Sequence, residues 1–320
     1  MELGQRIVIE WQPFPDVGDS IELHQLAKQR VARLAYLLHS GRKPSTLHTL
    51  TSIGFVEDPS ARRFGIAYHL PSGISTRREP LSLYQILSRK HITSDHTSQA
   101  DPSGPFHPTL EQRYRLAATL ASSLFTFLHA RWLHKNFNSR SIQFFFDKPS
   151  LDARTAASPL PSLERPCVGG FVISRPSEPT EISLPPIGLE SASPDEIMYL
   201  HPDLQVADPA QRPKYHSAYD IYSLGLMLVE IGFWNILPKI VRRDRDPRKN
   251  LLGEDLRLKI IQKCMSELPC WVGVKYTEVT LACLKVKDDE IEGISQDLNS
   301  FYWDIVFELY QCLPNSSLSN

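Results

Sequence analysis

The residues able to carry chemistry stand in a few short runs. Residues 128–137 read Leu-His-Ala-Arg-Trp-Leu-His-Lys-Asn-Phe, with Ser141 and Ile142 soon after. Gly169-Gly170-Phe171-Val172-Ile173-Ser174-Arg175 comes next, then His201-Pro202-Asp203, then Asp220-Ile221-Tyr222-Ser223-Leu224-Gly225. Near the start, Ile7-Val8-Ile9-Glu10-Trp11-Gln12 supplies one acid and one amide. A carboxamide such as Asn136 cannot act as a general base near neutral pH. A hydroxyl such as Ser141 is a poor magnesium ligand beside a carboxylate, and Gly170 offers no side chain at all. Other chemistries fit worse. Ser223 sits in Tyr-Ser-Leu-Gly and lacks the preceding glycine of a nucleophile elbow, which argues against a hydrolase. The 11 histidines are scattered, none paired with Cys or carboxylate at metal spacing, so His134 reads as a core histidine and no metal site is expected.

Composition narrows the classes. The chain has 320 residues, 42% of them hydrophobic, enough for a sizeable core in one or two domains. With 35 basic and 36 acidic residues the net charge is -1, which favours neither nucleic acid nor an anionic membrane surface. The run Arg242-Arg243-Asp244-Arg245-Asp246 is broken by acids, and the tryptophans and tyrosines are dispersed, so no nucleic-acid platform is evident. The 5 cysteines form no C-x-x-C pair and are odd in number. That points to a reducing intracellular compartment, the cytoplasm with the nucleus left open. No membrane span and no signal peptide are expected, because the opening MELGQRIVIEW runs straight into a strand pattern.

The elements that must position those residues follow from periodicity. Strands are expected at 6–11, 47–56 and 63–70, with a turn at Glu57-Asp58-Pro59. A helix over 20–40 carries Leu23, Leu26, Ala27, Val31, Leu34, Ala35 and Leu38 at helical spacing. A short helix is expected at 81–89, a polar loop at 91–108, and a strong helix at 109–130. Proline-rich irregular stretches fall at 147–166 and 176–195. From Ile221 to Trp234 apolar residues cover nearly every side of a helix, which therefore reads as a buried central post, with Asp220 placed to accept backbone hydrogen bonds near its start. A charged loop (242–250), a helix at 253–266, a helical region from 276 and a frayed tail (313–320) complete the chain.

Taken in order, these runs resemble the motifs of protein kinases. Asp220 to Gly225 resembles the D-x-Y-S-x-G opening of the family's central helix, and His201-Pro202-Asp203 stands where it carries A-P-E. His134-Lys135-Asn136 aligns with H-R-D, placing Asn136 at the general-base position and Ser141 at the second magnesium ligand. Gly170-Phe171 aligns with D-F of D-F-G, so the main magnesium ligand becomes glycine. Locally, Gly169-Gly170 reads equally well as a flexible turn before a strand. The family's V-A-I-K lysine has no counterpart in the first strand, where Gln12 falls at its place. No G-x-G-x-x-G occurs anywhere. Asp203 replaces the A-P-E glutamate, and its usual arginine partner has no counterpart near Cys283-Leu284-Lys285.

The resemblance covers residues 6–312 and implies an α+β fold of two lobes, a truncated β-rich N-lobe (1–72) and a mainly helical C-lobe (73–312). His134, Phe171, Asp203, Asp220 and Gly225 would be scaffold, with no catalytic residue and no ATP or magnesium cofactor. The texture resembles a group of fungal kinase-like domains associated with HeLo-type cell-death proteins. The expectation is therefore a pseudokinase acting as a protein-binding signalling module, its oligomeric state open. The alternative is an atypical phosphotransferase with relocated metal ligands, for which Glu10, Asp147 and Asp152 are the nearest acids.

Overall fold

In the computed structural model, the described residues are 7–14, 21–39, 43–88, 107–148, 160–178, 194–206, 211–241, 252–286 and 298–314. The polar loop before 107, most of both proline-rich stretches, the 242–250 loop, Asp152 and residues 315–320 lie outside them. The chain is a mixed α and β protein.

The first sheet has three antiparallel strands in the order β1-β3-β2, with β1 at Ile7–Pro13, β2 at Thr51–Asp58 and β3 at Arg63–His69. Helix α1 (Ile21–His39) packs on it through Ala27, Val31, Leu34, Ala35 and Leu38, the stripe that the sequence spacing calls for. Arg30 joins that stripe at 5% exposure. Two boundaries differ from the sequence reading. Residues Ser45–Leu47 form a 3-10 turn, and β2 starts only at Thr51, because Pro44 precedes that turn and His48 leaves it in the left-handed region (φ 48). The strand also runs through Glu57 and Asp58, and the reversal falls on the residues after them. There Asp58 Oδ1 accepts from the Ser60 hydroxyl and the Ala61 amide, and Arg62 takes φ 48.

Strand β4 (Leu81–Ser82) leads into helix α2 (Leu83–Ser88), and Ser82 and Gln85 cap each other's amides at 3.1 and 2.8 Å. Helix α3 (Leu110–His129) opens on a capping box in which Thr109 and Gln112 exchange the same pair of bonds. Strand β5 (Trp132–Leu133) then pairs with β8 (Arg175–Pro176), while β6 (Ile142–Phe144) pairs with β7 (Cys167–Val168) and β4. The loop joining β5 to β6 and the segment joining β7 to β8 thus connect the same two strand pairs. Antiparallel pairing at both ends lays 134–141 beside 169–174.

Helix α4 is the single turn Pro194–Ile197. Helix α5 (Ser217–Phe233) is buried at every position except Ser217 and Ser223, as a central post should be. Trp234 closes it in the left-handed conformation (φ 49), and α6 (Leu237–Val241) follows. Helix α7 runs over Gly253–Lys285 with a break at Gly273 (φ 76, ψ 170). The gap expected between 266 and 276 is therefore helical apart from that one residue. Pro269 is absorbed within the helix, and the carbonyls freed at the break are taken up by Tyr114 Oη on Val272 O (2.8 Å) and Thr277 Oγ1 on Gly273 O (2.8 Å). Gly225 and Gly232 let α5 and α7 touch, since a Cβ on Gly225 would lie 2.8 Å from Cys283 Cβ and one on Gly232 would lie 2.7 Å from Leu268 Cδ1. Helix α8 (298–310) packs against α3, its middle Tyr302–Phe307 wound as a π-helix.

One core cluster joins α1 and the β3 residues Phe64, Ile66 and Tyr68 to α3, α5 and α7. No helix among the described residues is long and apolar enough to cross a membrane.

Candidate functional site

The two facing connections and the first strand meet around Phe171. Its ring is buried against His134 (centroids 4.9 Å apart) and Phe127 (5.6 Å), and Phe137 closes on His134 at 5.3 Å. His134 is fully buried, and that burial pulls its imidazole down to about 3. It is held neutral, with Nδ1 accepting the Asn136 amide at 3.3 Å. A neutral buried ring of this kind is packing rather than acid–base apparatus.

Asp220 organises the loop from below. Its Oδ2 accepts His134 N at 2.9 Å, and its Oδ1 accepts both Lys135 N (2.8 Å) and the Tyr215 hydroxyl (2.8 Å). The sequence reading had the donor type right and the donor wrong. Asp220 lies inside the first turn of α5, whose N-cap is His216, and serves the 134–135 loop rather than its own helix. Those bonds hold Lys135 at φ 64, a left-handed conformation that costs about 1–2 kcal/mol for a non-glycine residue. Burial raises the Asp220 carboxyl to about 6, with the bonds from Tyr215, His134 and Lys135 opposing the rise. Burial, with Arg175 and Arg30 nearby, lowers the Lys135 ammonium to about 7.

Asn136, Ser141 and Gly170 lie together, and their polar groups are satisfied within the loop, largely through Asn138. Asn136 Nδ2 donates to Gly170 O at 3.3 Å, and its Oδ1 accepts Asn138 Nδ2 at 2.7 Å. Ser141 Oγ donates to Asn138 O at 2.8 Å and accepts Asn138 N at 3.2 Å. Gly170 sits at φ 79, and a Cβ there would lie 2.7 Å from Ser141 Cβ and 3.0 Å from Asn136 Nδ2. The space for a side chain at 170 is filled.

From above, β1 reaches the same segment. Glu10 Oε1 accepts Phe171 N at 2.6 Å, while Gln12 Nε2 donates to Phe171 O at 3.3 Å. Burial raises the Glu10 carboxyl, against the lowering effect of bonds from Phe171, Tyr68 and Gly170.

Residues 60–308 match the profile of the family described as Domain of unknown function (DUF7580). The chain belongs to that family. No curated protein matches it. The DUF7580 stretch contains the 134–141 loop, Gly170-Phe171, Asp203, Asp220 and Gly225, whereas Glu10 and Gln12 on β1 precede it.

The remaining expected residues fall outside the cluster around Phe171. Asp203 is 40% exposed at its side chain, and its Oδ2 meets His201 Nδ1 at 3.2 Å and the Tyr219 hydroxyl at 3.4 Å. His and Tyr stand where the sequence argument looked for an arginine. Asp147 is half-exposed and ion-paired with Arg165. Among the described residues of this DUF7580 chain, no group of three or more His, Cys, Asp or Glu is arranged to hold a metal ion.

Sequence reasoning missed one buried acid. Glu230 is fully buried in α5, with its Oε1 accepting the Tyr199 hydroxyl at 2.5 Å and Leu237 N at 2.8 Å. Burial pushes its carboxyl up to about 7. Arg175, 1% exposed, donates to the carbonyls of Pro176 and Tyr215 at 2.8 Å each. Glu230 in an otherwise apolar helix was a visible signal, since an acid on a face with no polar neighbours implies a dedicated partner.

Proposed function

We propose that this chain is a catalytically silent kinase-like module that works by presenting a protein-binding surface, in the manner of a pseudokinase. The observation that carries this is the closed Asn136–Ser141–Gly170 cluster. On the kinase-like reading these residues stand at the base and the two magnesium-ligand positions, and here their hydrogen bonds are spent inside the loop, Asn136 on Gly170 O and Asn138, and Ser141 on the Asn138 backbone. A side chain at 170 has no room beside Ser141. The scaffold contacts support the same reading, with His134 packed on Phe171 and both His134 N and Lys135 N held by Asp220. So does the strand–helix–strand–strand order of β1, α1, β2 and β3, which fits an N-lobe lacking its first two strands. A role in fungal cell-death or incompatibility signalling, inside the cell and through a protein partner, is the biological extension of this proposal.

The alternative phosphotransferase needs a relocated metal ligand. Asp147 is engaged by Arg165 and Glu10 by Phe171 N, so neither acid is poised for that task. The deciding experiment is a thermal-shift titration with ATP, with and without magnesium. A ligand at a hundred times its dissociation constant adds about 2.7 kcal/mol of stability, an easily visible shift. No shift is expected in either condition. A magnesium-dependent shift would sink the silent-module reading.

A further inference from the structure

Glu10 and Gln12 lie two residues apart on β1, so they share one face of the strand. Their cross-strand neighbours on β3 are Ile66 and Phe64, and Val8 faces Tyr68. Those three β3 side chains are at most 3% exposed, so Glu10 and Gln12 occupy a buried apolar face. An acid placed there costs desolvation unless something specific receives it. What receives it is the Phe171 amide at 2.6 Å on Oε1 and the Tyr68 hydroxyl at 3.4 Å on Oε2. Gln12 holds the carbonyl of the same Phe171 at 3.3 Å. Below, Asn136 holds the carbonyl of Gly170. A backbone amide turned toward a carboxylate is an anion-binding donor, and here the anion belongs to the chain itself.

We propose that Glu10 makes an autoinhibitory contact: its carboxylate is a built-in anionic ligand that fixes Phe171 against β1 and denies the Phe171 amide to an external anion. The contact stands on the geometry around Phe171 alone, and only its bearing on nucleotide rests on the kinase-like reading. Glu10 is a positioning residue that acts through the Phe171 backbone.

The test uses the full chain with Glu10→Ala and Glu10→Gln. Amide hydrogen exchange is followed over residues 169–174, and formate is added as a small carboxylate probe against chloride at equal ionic strength. Glu10→Ala is expected to exchange at least tenfold faster in this segment. Formate, but not chloride, restores its protection and raises its Tm, while the wild type ignores both. Glu10→Gln, whose amide oxygen still accepts from Phe171 N, should show intermediate protection. Unchanged exchange in Glu10→Ala, or formate acting no better than chloride, overturns the proposal. If Glu10→Ala fails to fold, wild-type exchange in Glu10→Gln overturns it instead. A separate ADP titration without magnesium distinguishes the two readings. A Tm shift in Glu10→Gln and none in the wild type extends the contact to nucleotide. Faster exchange and formate rescue with no ADP shift leave the contact standing and confine it to small anions.

Discussion

Asp220 shows how much one buried carboxylate can hold. It satisfies two backbone amides and a tyrosine hydroxyl and so maintains the left-handed Lys135. Asp220→Ala orphans three buried donors, each worth about 1–3 kcal/mol, and should cost more than about 3 kcal/mol. Tyr215→Phe removes one bond and should cost about 1 kcal/mol in urea unfolding. Equal losses in the two variants would show that the loop does not depend on the carboxylate. Glu230 gives a pH signature. Its folded value is raised from 4.5 to about 7, so between those values the native state binds more protons than the unfolded chain. Its contribution is fully present below pH 4.5 and is lost as pH rises to about 7, at up to about 1.4 kcal/mol per unit. Glu230→Gln removes that titration. The Tm of the variant relative to wild type should climb from pH 5 to pH 8, and a flat difference would contradict the assignment.

At the scale of elements, the contact between α5 and α7 is set by two glycines rather than by the size of the apolar residues. Adding a methyl at Gly225 forces it to within 2.8 Å of Cys283 Cβ. Gly225→Ala should therefore destabilise by about 1–3 kcal/mol despite alanine's better helix propensity. Because the clash is with Cβ, Cys283→Ala should not rescue it, whereas removing that Cβ with Cys283→Gly should recover part of the loss. Chemical denaturation of the two double variants decides this. Helix α7 makes the complementary point. Its Gly273 lies in a region open almost only to glycine, and the helix bends there because Tyr114 and Thr277 accept the disruption.

At the scale of the whole molecule, a first sheet, a helical body and two short strand pairs converge on one backbone segment, Gly170-Phe171. The side chains of Glu10, Gln12, Asn136 and Ser141 brought there are each bonded to another group of the protein. Restoring one missing side chain should therefore not restore chemistry. Gly170→Asp should lower the Tm and give no magnesium-dependent shift with ATP. Combining it with Ser141→Gly should recover stability by removing the side chain that fills the space. A magnesium-dependent shift in Gly170→Asp alone would mean that the cluster opens readily.

The sequence by itself determined the helices and the buried post, because apolar periodicity reports burial directly. Leu34, Leu38 and the α5 run fall where their spacing demands. The grouping of 134–141, Gly170-Phe171 and Asp220 came from the resemblance to kinase motifs and not from any local pattern. Tertiary structure alone decided what those residues touch. The partners of Asp220 lie 85 and 86 positions away, and Phe171 is 161 positions from Glu10. No local pattern encodes such a pairing, so Glu10 looked like a candidate metal ligand when it is engaged by a backbone amide. The helices expected at 253–266 and from 276 meet at a break on Gly273, and only their extent toward that break was beyond the apolar pattern.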